Sequence, residues 1–232
     1  MKVAIFTLTR ERLEYTKRAF DQLEKMAGYP YDHFVIDNGS EDGTVDWLKE
    51  THRSYKDLSF FSKNRGISVG INTAVKTIFS CNEDYDLIIK MDNDCLIKTK
   101  GIISRAVTLF DRILCVKQFG PKYILSPVVT GLVHPPKSPQ HVWVGTDRID
   151  LMPIIGGIFH VVPSVIYYKY KALENLPLAK GQDEHFCGWA NSQGGLMGQV
   201  QGWEVEHMDT TVGQAAKYPE YFERKYKEES AS

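Results

Sequence analysis

Long apolar runs are absent from this sequence, which argues against a membrane-embedded or exported chain. No stretch of the 232 residues approaches the roughly 20 consecutive apolar residues that a membrane-spanning helix needs. The first apolar segment, at residues 3–6, is soon followed by charged residues and is too short for the apolar region of a signal peptide. The sequence therefore predicts no membrane span and a cytoplasmic location.

The sequence also has few cysteines and almost no net charge. The cysteines, Cys81, Cys95, Cys115 and Cys187, show neither a C-x-x-C pair nor the spacing of a zinc finger. This pattern predicts reduced thiols, as in cytosolic proteins. Lys and Arg number 28 against 29 Asp and Glu, so no overall field would draw the chain to nucleic acid, although a local basic patch stays open.

The remaining composition is that of an ordinary globular protein, with 43% hydrophobic and 25% charged residues. A chain of this length can bury a sizeable core in one domain or in two tightly fused halves. Its first half alternates short apolar segments with amphipathic ones. Strands are predicted at 3–6, 33–36, 58–61 and 86–91, and helices at 10–27, 44–50 and 67–78. This order predicts a parallel sheet with helices on both faces.

The second half is less regular. Helices are predicted at 102–116, 164–175, 184–191 and 218–229, and strands at 124–129, 143–155 and 200–205. A loop containing Pro135, Pro136 and Pro139 is predicted to be exposed.

Polar clusters follow all four strands predicted in the first half. They are residues 7–10 (TLTR), 37–40 (DNGS), 64–66 (NRG) and 92–94 (DND). Ligands of such sheets bind beyond the carboxyl ends of the strands, so these clusters predict one shared site.

The last cluster is the most informative. Asp92 and Asp94 follow a buried-looking strand, and two carboxylates this close are costly to desolvate without a positive group between them. Mg²⁺ or Mn²⁺ is the usual partner, with further ligands supplied by substrate phosphates. The alternative is a simple Asp-Asn-Asp turn at the strand end.

Five segments of the chain resemble, in the same order, those of family 2 glycosyltransferases, which have the GT-A fold. They are VAIFTLTR (3–10), similar to the family's opening strand; DNGSEDGT (37–44), similar to D-D-G-S-x-D-G-T with Asn38 in second place; NRGISVGIN (64–72), similar to N-x-G-x-x-x-x-x-N; DND (92–94), at the place of D-x-D; and GQDEHF (181–186), similar to G-E-D-x-D-F/L. Each segment alone is weakly specific, but the order over about residues 1–210 makes the resemblance strong.

The resemblance implies an α/β, GT-A-like fold. It consists of a Rossmann-like, mostly parallel central sheet flanked by helices, with a smaller mixed sheet on the acceptor side. A single domain would span residues 1–232, in which residues 1–95 bind the nucleotide sugar. Residues 96–232 would bind the acceptor and end in a helix.

The resemblance also implies roles for the strand-end residues. Thr7 and Thr9 would offer hydroxyl and backbone groups to the nucleotide base, and Asp37 would accept a hydrogen bond from a ring N–H. Further candidates for the donor site are Arg10, Asn38, Asn64, Arg65, Asp92 and Asn93. Other roles stay open: Asp37 as an Asx turn or helix cap, and Arg65 as a solvated loop residue.

The implied cofactor is Mn²⁺ or Mg²⁺. Asp94 would bind the ion directly, and Asp92 would approach the ion, its hydration shell or the ribose. His207, which follows a predicted strand, would complete the metal site unless it is simply a surface histidine.

The implied base is Asp183, with Glu184 beside it as the other candidate. Transfer with inversion needs a carboxylate within hydrogen-bond reach of the acceptor hydroxyl. Gln182 and His185 stand where the family has acidic residues, which removes like charges beside Asp183. The structural alternative for Asp183 is a helix cap.

The expected function is inverting transfer of one sugar from a nucleoside-diphosphate sugar, by default a UDP-sugar, to a hydroxyl group. The acceptor would be a carbohydrate, a lipid-linked glycan or another hydroxyl-bearing molecule, and near-zero net charge argues weakly against nucleic acid. The family's processive synthases carry Q-x-x-R-W, whereas residues 199–203 read QVQGW. A non-catalytic binding domain of the same fold stays open. So does a sugar-nucleotide nucleotidyltransferase, although no glycine-rich loop follows the first strand.

Overall fold

The computed structural model describes residues 1–51, 53–115, 122–131, 140–170 and 182–208, together with residues 219, 220 and 223. Its first half alternates strands and helices, as predicted. They are β1 (Val3–Thr9), α1 (Leu13–Met26), β2 (Asp32–Asp37), α2 (Thr44–Glu50), β3 (Asp57–Phe60), α3 (Ile67–Ser80) and β4 (Leu87–Met91).

The second half adds β5 (Cys95–Ile97), α4 (Ile102–Cys115), β6 (Tyr123–Thr130), β7 (His141–Val144), β8 (Asp147–Leu151), β9 (Phe159–Pro163), α5 (Ser164–Lys169), α6 (Gln182–Ser192) and β10 (Leu196–His207). In this part of the chain the elements agree less well with those predicted from the sequence. The proline loop that was predicted to be exposed, the helix residues predicted beyond 170, and nearly all of the helix predicted at 218–229 lie outside the described residues.

The described strands form one sheet in the order β3-β2-β1-β4-β9-β6-β10-β8-β7, with β5 paired to β10. The first four strands are parallel to one another, which confirms the prediction for this half. Beyond them, β9 runs antiparallel to both β4 and β6, whereas β10 runs parallel to β6. The mixed strands of the second half, which were predicted to form a smaller sheet, are therefore an extension of the same sheet.

Three sequence predictions of elements were wrong. The strand predicted at 143–155 is the hairpin of β7 and β8, because Gly145 turns the chain with a φ of 62°. Strands β5 and β9 were not predicted, since short apolar runs lack a period that separates strand from helix. Helix α1 begins only at Leu13, because Glu11 and Arg12 adopt left-handed φ values of 55° and 60°.

The core consists of two apolar clusters, one on each face of the sheet. In β4, Leu87, Ile89 and Met91 face the cluster that contains side chains of α1, α2 and α4. Ile88 faces the other cluster, which contains side chains of α3, α5 and α6. Strand alternation therefore places Lys90 on the same face as Ile88, toward α6. Of the helices that the structure describes, none is both long and apolar enough to span a bilayer.

Candidate active site

The first two strand ends are joined through buried polar side chains. Thr9 and Asp37 are register partners in β1 and β2, and both are fully buried. The Thr9 hydroxyl donates to Asp37 Oδ2 at 2.7 Å. Asp37 also accepts hydrogen bonds from the Ser40 hydroxyl at 2.6 Å and the Ser40 amide at 2.8 Å. Asp37 therefore closes a turn onto the amide three residues ahead, whereas the predicted Asx turn would use the amide two residues ahead.

The second alternative for Asp37, a cap for the next helix, is wrong. Helix α2 follows Gly43, which has a φ of 88° and provides no side-chain cap. Asp42 instead accepts hydrogen bonds from the amide and the hydroxyl of Thr44, at 3.1 and 2.6 Å. The Asp37 carboxylate is therefore fixed at the sheet edge by its neighbours and lies outside the helix terminus.

Thr7 and Arg10 lie on either side of Thr9 along the chain. Thr7 is fully buried, and its hydroxyl lies 3.0 Å from Nε2 of the buried His33. Arg10 follows β1 directly and is half-buried. On this strand end, Thr9 is bonded to Asp37, while Thr7 lies beside His33.

Asn38 connects the end of β2 to the loop before α3. Its side-chain amide donates to Asn64 Oδ1 at 2.9 Å and to the Gly66 carbonyl at 3.3 Å. Its side-chain oxygen accepts from the Arg65 amide at 2.9 Å. The Arg65 guanidinium is exposed and lies 5.2 Å from the Phe61 ring centroid. Asn38 thereby links the second polar cluster to the third.

Asn93 and Asp94 are both almost completely buried after β4. The Asn93 amide donates to the Thr16 hydroxyl at 3.0 Å, so this side chain faces α1. Asp94 Oδ2 accepts from Arg12 at 2.9 Å and lies 3.2 Å from His207 Nε2. The structure therefore brings together Asp94 and His207, which are 113 positions apart in the chain.

Arg12 is a site residue that the sequence analysis missed. It adopts a left-handed backbone before α1, is 7% exposed, and also donates to the Asn93 side-chain oxygen at 3.2 Å. Burial opposes ionisation of Asp94, but His207 and Arg12 together hold the pKa of that carboxyl well below its usual range. The available signal was a run of alternating charges, Arg10-Glu11-Arg12, directly after a buried strand.

Asp92 faces a different cation. The Lys90 ammonium donates to Asp92 Oδ1 at 2.5 Å and to the Gly157 carbonyl. Burial raises the pKa of Asp92, although Lys90 opposes that shift. Burial alone would lower the pKa of Lys90, but the carboxylates of Asp92 and Asp183 outweigh it and raise that pKa. The sequence signal for Lys90 was a lysine inside an otherwise apolar strand.

Asp183 lies in the first turn of α6 and reaches back to the sheet edge. Its Oδ2 accepts from the Gly157 amide at 2.8 Å, and its side chain borders a small cavity shared with Lys90, His160 and Tyr167. Glu184, by contrast, is exposed. His185 Nδ1 lies 2.7 Å from the Tyr170 hydroxyl. Of the two candidate bases, Asp183 is the one placed beside Lys90 and Asp92.

The donor atoms around Asp94 fit a divalent ion that also binds phosphate. A carboxylate oxygen and an imidazole nitrogen 3.2 Å apart are suitable ligands for Mn²⁺ or Mg²⁺, which commonly take remaining ligands from phosphate and water. Lys90 binds Oδ1 of Asp92, so a contact between this carboxylate and the ion would use its other oxygen. Among the described residues, no three His, Cys, Asp or Glu side chains gather closely enough to hold an ion alone.

Comparison with known structures identifies the same fold in three glycosyltransferases. A mannosyltransferase from Pyrobaculum calidifontis, solved with GDP-Man and Mn²⁺, has a TM-score of 0.66 at 15% identity, over 93% of this chain and 59% of that one. S. aureus TarS with UDP-GlcNAc gives 0.66 at 13% identity, over 91% and 62%. GalNAc-T7 with UDP, GalNAc and Mn²⁺ gives 0.66 at 10% identity, over 91% and 44%. These identities show the fold alone, and the chain spans at most about three-fifths of these proteins.

Sequence comparison gives the family. No curated protein matches the chain. The model of glycosyl transferase family 2, however, matches residues 4–175, a range that contains the strand-end clusters around Asp37, Asn64 and Asp92. That range covers most of the chain and contains all but the opening residue of the first four segments on which the sequence resemblance rested, whereas GQDEHF (181–186) lies beyond it. The chain belongs to glycosyl transferase family 2.

Proposed function

We propose that this protein transfers one sugar from a nucleoside-diphosphate sugar to an acceptor hydroxyl, with inversion at the anomeric carbon. The observation that carries the proposal is the position of Asp183. Although 89 residues separate it from Asp94 in the chain, its charge acts on Lys90 together with those of Asp92 and Asp94. A candidate base and a candidate diphosphate site therefore share one sheet edge.

The nucleotide would bind along the ends of β1 and β2. Asp37 and Thr9 are fixed there, so a base bound beside them would meet preorganised polar groups. The Asn38–Asn64 contact holds the next loop in place, where the Arg65 guanidinium is exposed. An exposed guanidinium suits a phosphate or ribose contact.

The diphosphate would lie near Asp94 and His207. These two side chains would hold Mn²⁺ or Mg²⁺, which when bound would stabilise negative charge on the departing nucleoside diphosphate. Burial opposes ionisation of Asp94, but His207 and Arg12 lower its pKa, so the carboxylate carries the negative charge that a cation requires.

Asp183 would accept the proton from the acceptor hydroxyl. As the acceptor oxygen forms its bond to the anomeric carbon, the bond from that carbon to the diphosphate oxygen breaks, and the electron pair leaves with the nucleoside diphosphate. The Gly157 amide holds Asp183 Oδ2 and thereby orients the carboxylate. UDP-sugars are the proposed donors because family members use them most, and TarS and GalNAc-T7 were solved with UDP ligands.

Titration calorimetry with UDP, GDP and dTDP, each with and without Mn²⁺, tests the proposal. We expect one nucleotide to bind in a Mn²⁺-dependent manner, and its sugar conjugate to be hydrolysed slowly without an acceptor. Failure of all three nucleotides to bind would contradict the proposal.

A second candidate is a non-catalytic nucleotide-binding domain of the same fold. The observation in its favour is that Asp94 already has a cationic partner in Arg12, while Gln182 and His185 depart from the family's acidic pattern. Tight nucleotide binding with no release of sugar from any donor would favour this candidate. The family match gives no support to the nucleotidyltransferase alternative.

A further inference from the structure

Lys90 is a buried cation between two carboxylates that have different proposed roles. Its side chain is 7% exposed, and it lies on the β4 face that is directed toward α6. A buried ammonium without partners would be strongly destabilising, so its contacts determine why it is tolerated. They are Asp92 Oδ1, at 2.5 Å, and the Gly157 carbonyl.

Gly157 extends this contact to Asp183. Its carbonyl accepts from Lys90, while its amide donates to Asp183 Oδ2 at 2.8 Å. One residue therefore joins the ammonium to the candidate base through its own backbone groups. Asp92, Lys90, Gly157 and Asp183 form a continuous chain of polar contacts, which we name the Lys90 bridge.

The Lys90 bridge leaves no room for a side chain at position 157. A β-carbon there would lie 2.4 Å from Asp183 Oδ1, which is closer than any stable contact. The neighbouring Gly156 is different, because a β-carbon there would meet nothing within 4 Å. The close fit is thus specific to the glycine that holds Asp183.

The charges support the same arrangement. Lys90 is attracted to Asp92 and Asp183 together, so it lowers the repulsion between two carboxylates that must share one site. A neutral side chain of the same length would leave that repulsion in place. It would also remove the donor that fixes the Gly157 carbonyl.

We propose that Lys90 is a positioning residue, which through Gly157 sets the location of the Asp183 carboxylate relative to Asp92. This inference rests on the proposed glycosyl transfer, because it assigns Asp183 as the base. Lys90 itself touches no reacting atom; it acts by holding the base where the acceptor hydroxyl arrives.

The test compares Lys90→Met and Gly157→Ala with the matched control Gly156→Ala. For each folded variant, kcat, the KM values for donor and acceptor, and the melting temperature are measured. We expect kcat to fall by about a hundredfold in Lys90→Met and Gly157→Ala, within the range for loss of a positioned base. The KM for the donor should stay within about threefold of the wild-type value, because Asp37 and Asp94 are untouched. Gly156→Ala should match the wild type.

Chemical rescue separates positioning from a purely structural role. In Lys90→Ala, methylamine or ethylamine should restore kcat by at least about tenfold, since the small ammonium can occupy the vacated space. Unchanged kcat in Lys90→Met and Gly157→Ala would overturn the proposal. So would equal losses in donor binding and kcat without rescue by amines.

The two variants test the proposal independently, so that one remains informative if the other does not fold. If Lys90→Met does not fold, Gly157→Ala still reports on the bridge, because the atoms it displaces are the mobile end of the Asp183 side chain. A wild-type protein that transfers no sugar contradicts the proposed function and, with it, the role of Lys90 that depends on that function. An active wild type with unaffected variants contradicts the Lys90 inference alone.

Discussion

Asp94 and Asp183 are both carboxylates at one sheet edge, yet their surroundings differ. Asp94 is buried between Arg12 and His207, whereas Asp183 is only half-buried and bonds to the Gly157 amide. A carboxylate held ionised between cationic or imidazole groups suits ion binding. A carboxylate at the start of a helix, beside a cavity, suits contact with an acceptor.

Replacing Asp94 should abolish metal-dependent nucleotide binding. Asp94→Asn retains the shape of the side chain but removes the charge, so Mn²⁺-dependent nucleotide affinity should fall by about a hundredfold or more. Titration calorimetry with the nucleotide that the wild type binds measures this loss. Affinity unchanged in the presence of Mn²⁺ would show that the ion binds elsewhere.

Replacing Asp183 should affect the rate instead. Asp183→Asn should leave donor and metal binding nearly intact while transfer falls by about 10²- to 10⁴-fold. Glu184→Gln, a change at an exposed neighbour, serves as the control and should retain transfer. The reverse result would assign the base to Glu184. Full activity in both variants would contradict the inverting mechanism.

Asn38 cannot be replaced by the aspartate that its family has at this position without cost. Asn38→Asp would place a carboxylate oxygen against Asn64 Oδ1 and the Gly66 carbonyl, both of which now accept hydrogen bonds from Asn38. The free energy of unfolding should fall by about 1–3 kcal/mol, as for a lost buried donor. Denaturant unfolding tests this, with the exposed Asn82→Asp as control. Equal effects at the two positions would contradict the role of Asn38.

The residues predicted from the sequence are those that stand in dense polar clusters. Asp37, Asn38, Asp92 and Asp94 could be found in this way because polar residues after a buried strand need partners. Lys90 and Arg12 could not be assigned partners, because these are set by strand register and by an unusual backbone conformation. Gly157 was missed as a contact because its contribution is made by backbone atoms, which no side-chain pattern reveals.

At the scale of elements, the start of α1 is held against the end of β4 by the Arg12–Asp94 ion pair, together with hydrogen bonds from Arg12 to Asn93 and from Asn93 to Thr16. Arg12 makes its contact with Asp94 from a left-handed backbone conformation, with φ 60° and ψ 48°. Arg12→Ala should lower the free energy of unfolding by about 3–5 kcal/mol, since Asp94 loses a buried partner. Arg12→Gly should be less destabilising than Arg12→Ala by up to about 1 kcal/mol, because glycine adopts the left-handed conformation without strain.

Denaturant unfolding of the two Arg12 variants measures both quantities. If glycine and alanine are equally destabilising, the left-handed conformation is not retained once the ion pair is lost. If neither variant is destabilising, the ion pair does not hold α1 to β4.

The alternation of β1 to β4 with α1 to α3 could be predicted because each helix has a clear apolar stripe and each strand ends in turn residues. The order of the strands beyond β4 could not be predicted from the sequence. Strand β9 enters the sheet between β4 and β6, and this position depends on pairing with β4, about seventy residues earlier, and with β6, where Val161 pairs with Leu125. Local sequence patterns carry no information about such pairing.

At the scale of the whole molecule, two buried histidines link stability to pH. Burial lowers the pKa of His33 to about 3 and that of His160 to about 4. Both remain neutral in the folded chain but take up a proton below about pH 6.5 when unfolded. Their contribution to stability is therefore present above pH 6.5 and is lost as the pH falls toward the folded values.

Lowering the pH from 7 to 5 should reduce the free energy of unfolding by about 2 kcal/mol for each of the two histidines. Denaturant unfolding at these two pH values should show a smaller pH dependence in His33→Asn than in the wild type. The same change at His141, an exposed histidine on β7, is the control and should leave the dependence unaltered. An equal pH dependence in all three proteins would contradict the assignment.

During synthesis of the chain, β4 is made about seventy residues before β9, the strand that covers its outer edge. Until residues 159–163 emerge, β4 is the unpaired edge of the four parallel strands, although all of its side chains are buried in the finished sheet. An apolar edge strand of this kind favours association with other chains. Lys90 lies in this strand, and an inward-pointing charge is one device that discourages such pairing. The cation that later joins Asp92 to Gly157 would thus protect nascent chains, and truncated chains ending before β9 should aggregate more when Lys90 is replaced by methionine.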